Sequence, residues 1–447
     1  MLSSRAEKGP PGGLAMRRFT LALSLLANHL AWAAPREVAF SQSAASVAAY
    51  DFVEVSLHVS APVAGNPFTE AEVTGWFGMA GTMERVKVDG FCDSADGTVF
   101  RIRFMPSKPG DYTYTVKYAD KGFEKSYDGT FHATAGGRRG PIRVDPEHRW
   151  HFIWEGTGEH YFFHGTTAFW LMGWRDERVI GNSLERLRRL KVNRVRVLLS
   201  GRTNTMYGEP AMNTAEWSLF LSPWPAVKAD DFYHPGFDYA RFRVEHWQRF
   251  ERMLRYARER DIVISVILDI ADGQIHLAPG SEDERRYIRY ATARLTAFSN
   301  ITWDLGDDLD TFRNDQWAHE TGALLESWDP YRHLATTHPV HREHQDRGSE
   351  WFGFTSIPPF RIGRATNMRS CWRSGNCRSR QAASFPRPTK STAMRTTIRC
   401  GRRRRRAIRR RRCGGRRGTS RWPAPTARRV RRRGAAWASG RIRGAVG

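Results

Sequence analysis

The hydrophobic period of this chain changes once, at a Gly-rich segment, and that change constrains its architecture more than any other feature. From Asp51 to about Ala135 apolar residues alternate with period two, in runs at 51–59, 73–79, 86–88, 99–104 and 112–118. Asn66-Pro67, Asp96-Gly97, Pro109-Gly110 and Asp128-Gly129 punctuate them as turn signals. About seven short strands so spaced predict a β-sandwich over residues 41–136. Beyond Gly136-Gly137-Arg138-Arg139-Gly140-Pro141, apolar strands alternate with long amphipathic helices. Strands are expected at 161–169, 194–199, 262–268, 301–305, 334–337 and 351–355, and helices at 183–190, 239–260, 282–298 and 315–328. That alternation predicts a parallel sheet with helices on its face, the first six units of a (β/α)8 TIM barrel over residues 141–360.

Two further units are missing where the composition breaks. Residues 361–447 hold 28 Arg and one Lys and no Asp or Glu, so the chain's net charge of +25 comes from this segment. Residues 1–360 carry 42 Lys and Arg against 46 Asp and Glu, a net charge of −4. The high overall charge therefore gives the folded part no reason to bind nucleic acid or membrane. The tail is expected to be disordered.

Near the N-terminus, Met16-Arg17-Arg18, an apolar run from Phe19 to Ala27 and Ala31-Trp32-Ala33 form the pattern of a secretory signal with cleavage before Ala34. Residues 1–15 are expected to be an upstream extension, and the product secreted or periplasmic without a membrane span. Four of the five cysteines fall in the tail, leaving Cys92 alone in the body, so neither a disulfide framework nor a zinc-cysteine spacing is expected there. The 16 Trp fit sugar-stacking platforms or a large core equally.

In a barrel of this kind reacting groups emerge at the C-terminal ends of strands. Those positions hold His164 after strand one, Arg196 on strand two, Asp269 (with Asp272 and His276) after strand three, Asp304, Asp307 and Asp308 at strand four, and His338 and His341 after strand five. A rim rich in carboxylates and imidazoles suits glycoside chemistry, in which one carboxyl protonates a leaving oxygen while other groups hold hydroxyls. Asp308 is the candidate catalytic residue, and His164, Arg196, Asp269, Asp307 and His338 are candidate substrate-binding residues. Each has a plainer reading: Asp307 and Asp308 as helix caps, Asp269 as a loop tie, Arg196 as the partner of a barrel carboxylate. Neither a metal nor a cofactor is expected.

The ordered motifs Asn66-Pro67-Phe68, Pro109-Gly110-Asp111-Tyr112, Gly165-Thr166-Thr167-Ala168-Phe169-Trp170, Asn300-Ile301-Thr302-Trp303-Asp304-Leu305-Gly306-Asp307-Asp308 and Asp329-Pro330-Tyr331 carry a resemblance over residues 41–357. The chain resembles secreted two-domain proteins in which an N-terminal domain of unknown function precedes an apiosidase-like glycoside hydrolase barrel. The resemblance implies an oligo- or polysaccharide substrate and makes Asp308 the general acid/base, because relatives end the strand-four motif Asn-Glu or Gly-Asp. It also implies a second carboxylate, a Glu on strand seven in a segment like Asn-Glu-Glu-Tyr-Gly-Tyr-Glu-Asp, which this sequence lacks.

Regrouping the codons of Pro388 to Arg399 by one base permits that segment, and the same shift over Ser420 to Val430 permits another family segment. A one-base frameshift between about Pro358 and Thr366 accounts for both and for the Arg excess. As encoded, the chain is then expected to be an unstable and inactive hydrolase. The alternatives are a secreted carbohydrate-binding protein without catalysis and polyanion binding by the tail.

Overall fold

The structure is a computed structural model that describes residues 37–200, 214–218, 222–231, 234–271, 276–341, 349, 352–355 and 385–386. The signal segment, Asp272 and all of the Arg-rich tail except Phe385 and Pro386 lie outside the described residues.

The period-two region forms two sheets. One has the order β1-β3-β7-β6, from β1 (Val38–Gln42), β3 (Val53–Val59), β6 (Phe91–Cys92) and β7 (Val99–Phe104). The other has the order β2-β9-β8-β4-β5, from β2 (Ser46–Ala48), β4 (Ala71–Met79), β5 (Val86–Asp89), β8 (Gly110–Asp120) and β9 (Phe123–Thr134). Their alternate residues, Val53, Val55 and Leu57 from one sheet and Tyr114, Val116 and Tyr118 from the other, meet in a single core. Within it Phe77 stacks on Phe104 at 4.6 Å.

One expected turn is not a turn. The β8–β9 hairpin reverses at Lys121-Gly122, both at positive φ. Asp128-Gly129 instead lies inside β9, where a Cβ on Gly129 would sit 2.3 Å from the Tyr114 ring. Glycine is needed there for a close ring approach. Asn66-Pro67 opens a single helical turn, α1 (Pro67–Glu70), with the Asn66 side chain accepting from the Phe68 N–H.

After the linker a small antiparallel sheet comes first: β10 (Ile142–Val144), β11 (Phe152–Trp154) and β12 (His160–Tyr161). A parallel sheet of sequential order follows, from β13 (Gly165–Thr167), β14 (Arg194–Leu198), β15 (Val263–Ile267), β16 (Ile301–Asp307) and β17 (Ala335–His338). Helices α2 (Glu177–Arg189), α3 (Val244–Arg258), α4 (Glu282–Leu295) and α5 (Asp315–Trp328) lie between these strands in the sequence. The first expected strand is therefore split: Tyr161 belongs to the small sheet, and the parallel strand begins at Gly165. Short β18 (Phe354–Thr355) follows a parallel bridge from Phe352 to Ala335 and pairs antiparallel with β19 (Phe385–Pro386).

Strands β14 to β17 are buried along their whole length, but their two faces differ. Val195, Val197, Ile264, Val266, Trp303 and Leu305 join the core built with the helices, and Trp224, Trp247 and Trp303 fill it as ordinary apolar bulk. The other face carries Arg194, Arg196, Ser265, Thr302, Asp304 and Thr336. By contrast, all three residues of the edge strand β13 are exposed.

The two domains share buried charge. Arg103 of β7 donates to Glu54 of β3, to Glu251 of α3 and to the Arg294 carbonyl of α4, and Arg294 in turn bonds Glu251 and Asp93. Burial works against the Glu251 charge, but the two guanidiniums outweigh it and hold its pKa near about 2. Tyr290 Oη donates to the Cys92 carbonyl, and burial pushes the Cys92 thiol up to about 12, leaving it unreactive. The sandwich is thus fixed against α3 and α4 rather than tethered by its linker alone.

Candidate active site

The site grows out of an irregularity in β16. Residues three apart in a regular strand face opposite sides of the sheet, yet Asp304 and Asp307 both reach Arg196. The register between β16 and β17 shifts between these two aspartates, so the strand bulges and turns Asp307 to the side of Asp304. Arg196 donates from Nε (2.9 Å) and an Nη (2.7 Å) to one oxygen of Asp304, and from the same Nη to Asp307 at 2.8 Å.

One guanidinium thus serves two buried carboxylates. Asp304 takes both nitrogens, and Asp307 is left with the smaller share. Burial pushes the Asp307 pKa up to about 6, with Arg196 opposing and the charges of Asp304 and Asp308 adding to the rise. The Arg196 guanidinium loses by burial but gains more from the two carboxylates, so its pKa is raised. Both shifts fit one picture, in which Arg196 is over-supplied with negative charge.

His338 lies at the C-terminal end of β17, in register with Asp307, and its Nε2 is 3.5 Å from Asp307 Oδ1. Burial and the nearby Arg196 drive its pKa down to about 4, so the ring is neutral at ordinary pH. Asp308 follows at φ 51° and ψ 37°, a left-handed conformation that Asp adopts more readily than most residues but still at a cost of about 1 kcal/mol or more. It occupies the cap position of a short 3-10 turn at Leu309–Thr311, but its side chain makes no capping bond. The cap of α5 is Asn314. The plain capping reading of Asp308 is therefore not what the fold uses.

Donor atoms of Asp307, Asp308 and His338 all lie within 4.8 Å of one another, close enough for a cation. Arg196 already stands 2.8 Å from Asp307, however, and its fixed charge opposes a second cation there.

The remaining sequence candidates divide. Asp269 ends β15 beside Asp307 through its backbone, but its carboxylate meets His276 Nδ1 at 3.1 Å and Arg313 at 3.6 Å. It belongs to a group with Glu284 and Trp317 and does not join Arg196. Burial lowers the His276 pKa, but Asp269 outweighs it and the net shift is upward.

His164 is a correction. It precedes β13 instead of following it, and its Nδ1 bonds the Lys191 carbonyl at 2.8 Å in the turn that leads into β14. A whole strand separates it from Asp307. The single strand expected at 161–169 is two strands, because the chain first makes the small sheet and then starts again at Gly165, which leaves His164 between them.

The true C-terminal end of the first parallel strand carries Phe169 and Trp170, which pack with Leu198, Ile267 and Ile270. The Phe169 ring lies 5.9 Å from the Arg196 guanidinium carbon. Both aromatics were present in the Ala168-Phe169-Trp170 motif without being assigned to the rim. Asp310 was missed as well: it accepts from the backbone N–H groups of Val340 and His341 and meets His341 Nδ1, tying the loop after β17 to the end of β16.

The apiosidase-like catalytic domain family matches residues 150–376, just over half of the 447 residues, and a domain of unknown function, DUF5060, matches residues 46–119. The first match ends inside the Arg-rich segment. Among solved structures, a candidate glycoside hydrolase from Bacteroides vulgatus is similar at 24% identity and a TM-score of 0.60, with 70% of this chain and 60% of that chain covered. That likeness speaks for the fold, and this chain spans only about three fifths of its relative's length. A glycoside hydrolase family 5 structure from the same organism has 18% identity, a TM-score of 0.38, and coverage of 52% and 47%. No curated protein matches the chain.

Proposed function

The chain belongs to the apiosidase-like catalytic domain family, and from that premise we propose that its parallel sheet is the start of a (β/α)8 barrel built to hydrolyse glycosidic bonds of oligo- or polysaccharides outside the cytoplasm. The observation that carries this reading is the constellation at the C-terminal ends of β14, β16 and β17. There Arg196 clamps Asp304 and Asp307, His338 stands beside them, and Asp308 is presented on a left-handed turn.

Asp308 is the general acid/base in this proposal. It would donate a proton to the leaving glycosidic oxygen, while the second carboxylate, which this sequence lacks, would either attack the anomeric carbon as nucleophile or activate the water that does. Asp307 occupies the position where relatives carry Asn or Gly. With a pKa near about 6 it is largely protonated in mildly acidic solution, and so resembles the neutral Asn in charge. Neutral His338 is suited to hold a sugar hydroxyl. Arg196 positions the carboxylates, in line with its plainer sequence reading as a partner, and Asp269 with His276 braces the rim.

The second carboxylate and the last two barrel units are missing from the encoded sequence, which fits a frame change ahead of the Arg-rich segment. In a closed barrel the eighth strand would cover the first, and the exposed residues of β13 fit its loss. The encoded 447-residue chain is expected to show no turnover on aryl glycosides or polysaccharides. Turnover that Asp308→Ala abolishes would overturn the inactivity, and resequencing codons 350–400 would test its cause.

A further inference from the structure

The sandwich holds a single tryptophan, and it does not serve the core. Trp76, the only Trp of residues 41–136, stands in the middle of β4 and is 37% exposed, whereas Trp224, Trp247 and Trp303 of the following domain are buried. Val73 and Phe77 of the same strand point into the sandwich core. Side chains alternate along a strand, so Trp76 lies on the outer face of the five-stranded sheet, turned to solvent.

Polar side chains surround it on that face. Trp76 stands opposite Lys87 of β5 and Thr115 of β8, and Thr115 stands opposite Asp128 of β9, to whose carboxylate its hydroxyl donates at 2.5 Å. The next row holds Gly78, Thr113 and Thr130. A Cβ on Gly78 would come within 2.3 Å of Arg85 Nη1 and of the Glu84 carbonyl oxygen, so glycine there lets the Arg85 side chain lie on the sheet. Arg85 donates to the carbonyls of Thr82 and Glu84, which fix it, and from its other Nη to the Thr113 hydroxyl at 3.1 Å. Arg85, Thr113, Thr115, Asp128 and Thr130 line a cleft of about 640 Å³, whose wall at Thr115 adjoins Trp76.

We propose that this face of the sandwich binds a neutral polysaccharide, with one sugar ring against Trp76 and its neighbour in the cleft between Arg85 and Asp128. A pyranose has an apolar C–H face and a rim of hydroxyls that both donate and accept, so its receptor needs an aromatic surface with both kinds of polar partner beside it. Trp76 gives the surface, Arg85 and Lys87 supply donors, Asp128 supplies acceptors, and the threonine hydroxyls serve as either. Two strand spacings, about 10 Å, separate Trp76 from Asp128, which is room for a disaccharide. Among the described residues Arg85, Lys87 and Asp128 have no ionic partner, so their charges remain available to a ligand. Asp128 opposes a polyanion, and the two cations oppose a cationic ligand, which leaves an uncharged polyol as the complement of the set. One aromatic among charged and hydroxyl groups is also too polar for the core of a protein interface.

The ligand class rests on the proposed hydrolysis of polysaccharides and extends it, because the sandwich would then hold a chain of the kind that the other domain cleaves. Trp76, Arg85 and Asp128 take no part in the proton transfer assigned to Asp308. They would add affinity for the polymer and leave the chemistry unchanged.

The test titrates the full encoded chain with arabinoxylan, galactan and mixed-linkage β-glucan by calorimetry, in about 0.5 M NaCl to screen the Arg-rich tail, with polygalacturonate as the anionic comparison. Binding to at least one neutral polymer is expected. Trp76→Ala should weaken it about tenfold or more, as loss of a central aromatic anchor does, and Trp76→Phe should retain most of it. Asp128→Ala, at an exposed side chain, should weaken it about three- to tenfold. Circular dichroism of the three variants should match that of the native chain. No binding of a neutral polymer, binding that Trp76→Ala and Asp128→Ala both leave intact, or capture of polygalacturonate alone would each overturn the platform. None of these results bears on Asp308, and absence of turnover by the bound chain would leave the platform standing.

Discussion

Arg194 and Arg196 stand two residues apart on the same strand and on the same face of the parallel sheet, and both are buried, yet their surroundings are opposite. Arg196 meets two carboxylates. Arg194 lies against the stacked rings of Phe163 and Phe354, about 5 Å from each centroid, donates to Ser265, and among the described residues has no carboxylate within 4 Å and no acceptor at Nε. Burial, with Arg196 adding to it, pulls its pKa down to about 10. The upper layer of the sheet's polar face therefore holds more carboxylate than its one cation balances and is suited to chemistry. The lower layer is a cation held by aromatic faces and still short of a counter-charge. A closed barrel would bring further strands against this face, and an acidic residue among them is the natural complement of Arg194.

Three substitutions probe this contrast, beginning with the largest effect. Arg196→Met leaves Asp304 and Asp307 buried without a cation and should cost about 3–5 kcal/mol in denaturant unfolding at pH 7; a loss below about 1 kcal/mol would show that the pair is not what holds the layer. Asp307→Asn comes next, and its effect depends on pH. A folded pKa of about 6 exceeds the unfolded value of about 3.9. The native carboxyl thus contributes fully below about pH 4, and that contribution is lost as pH rises through about 6. The variant should match the native chain at pH 4 and exceed it by about 3 kcal/mol at pH 8. A stability gain independent of pH would contradict the shift.

Arg194→Met is the smallest. It keeps the packing against the two stacked rings and removes an unbalanced charge, so stability should change by less than about 1 kcal/mol.

The sequence carried the architecture well wherever one period ran long. The α5 limits at Asp315 and Trp328 were read directly, and β14 to β17 fell within a few residues of expectation. It failed where a local signal has two uses. Asp128-Gly129 reads as a turn, but the glycine admits the Tyr114 ring and Lys121-Gly122 makes the hairpin. His164 was misplaced because a single apolar run hid two strands. The site was legible as a list, since Arg196, Asp307, Asp308 and His338 come together. What joins Asp304 and Asp307 on one guanidinium is a bulge, and no periodic pattern announces a bulge.

The most direct measurement concerns the two adjacent aspartates in the chain that the proposed one-base frame change would restore, assayed for release of aryl aglycones from a panel of glycosides. Asp308→Ala should lower kcat/KM by about a thousandfold, as loss of a general acid does. Asp307→Asn should retain activity within about tenfold, since it keeps the neutral state that relatives carry. The reverse pattern, with Asp307→Asn inactive and Asp308→Ala still turning over, would contradict the assignment of the proton transfer to Asp308.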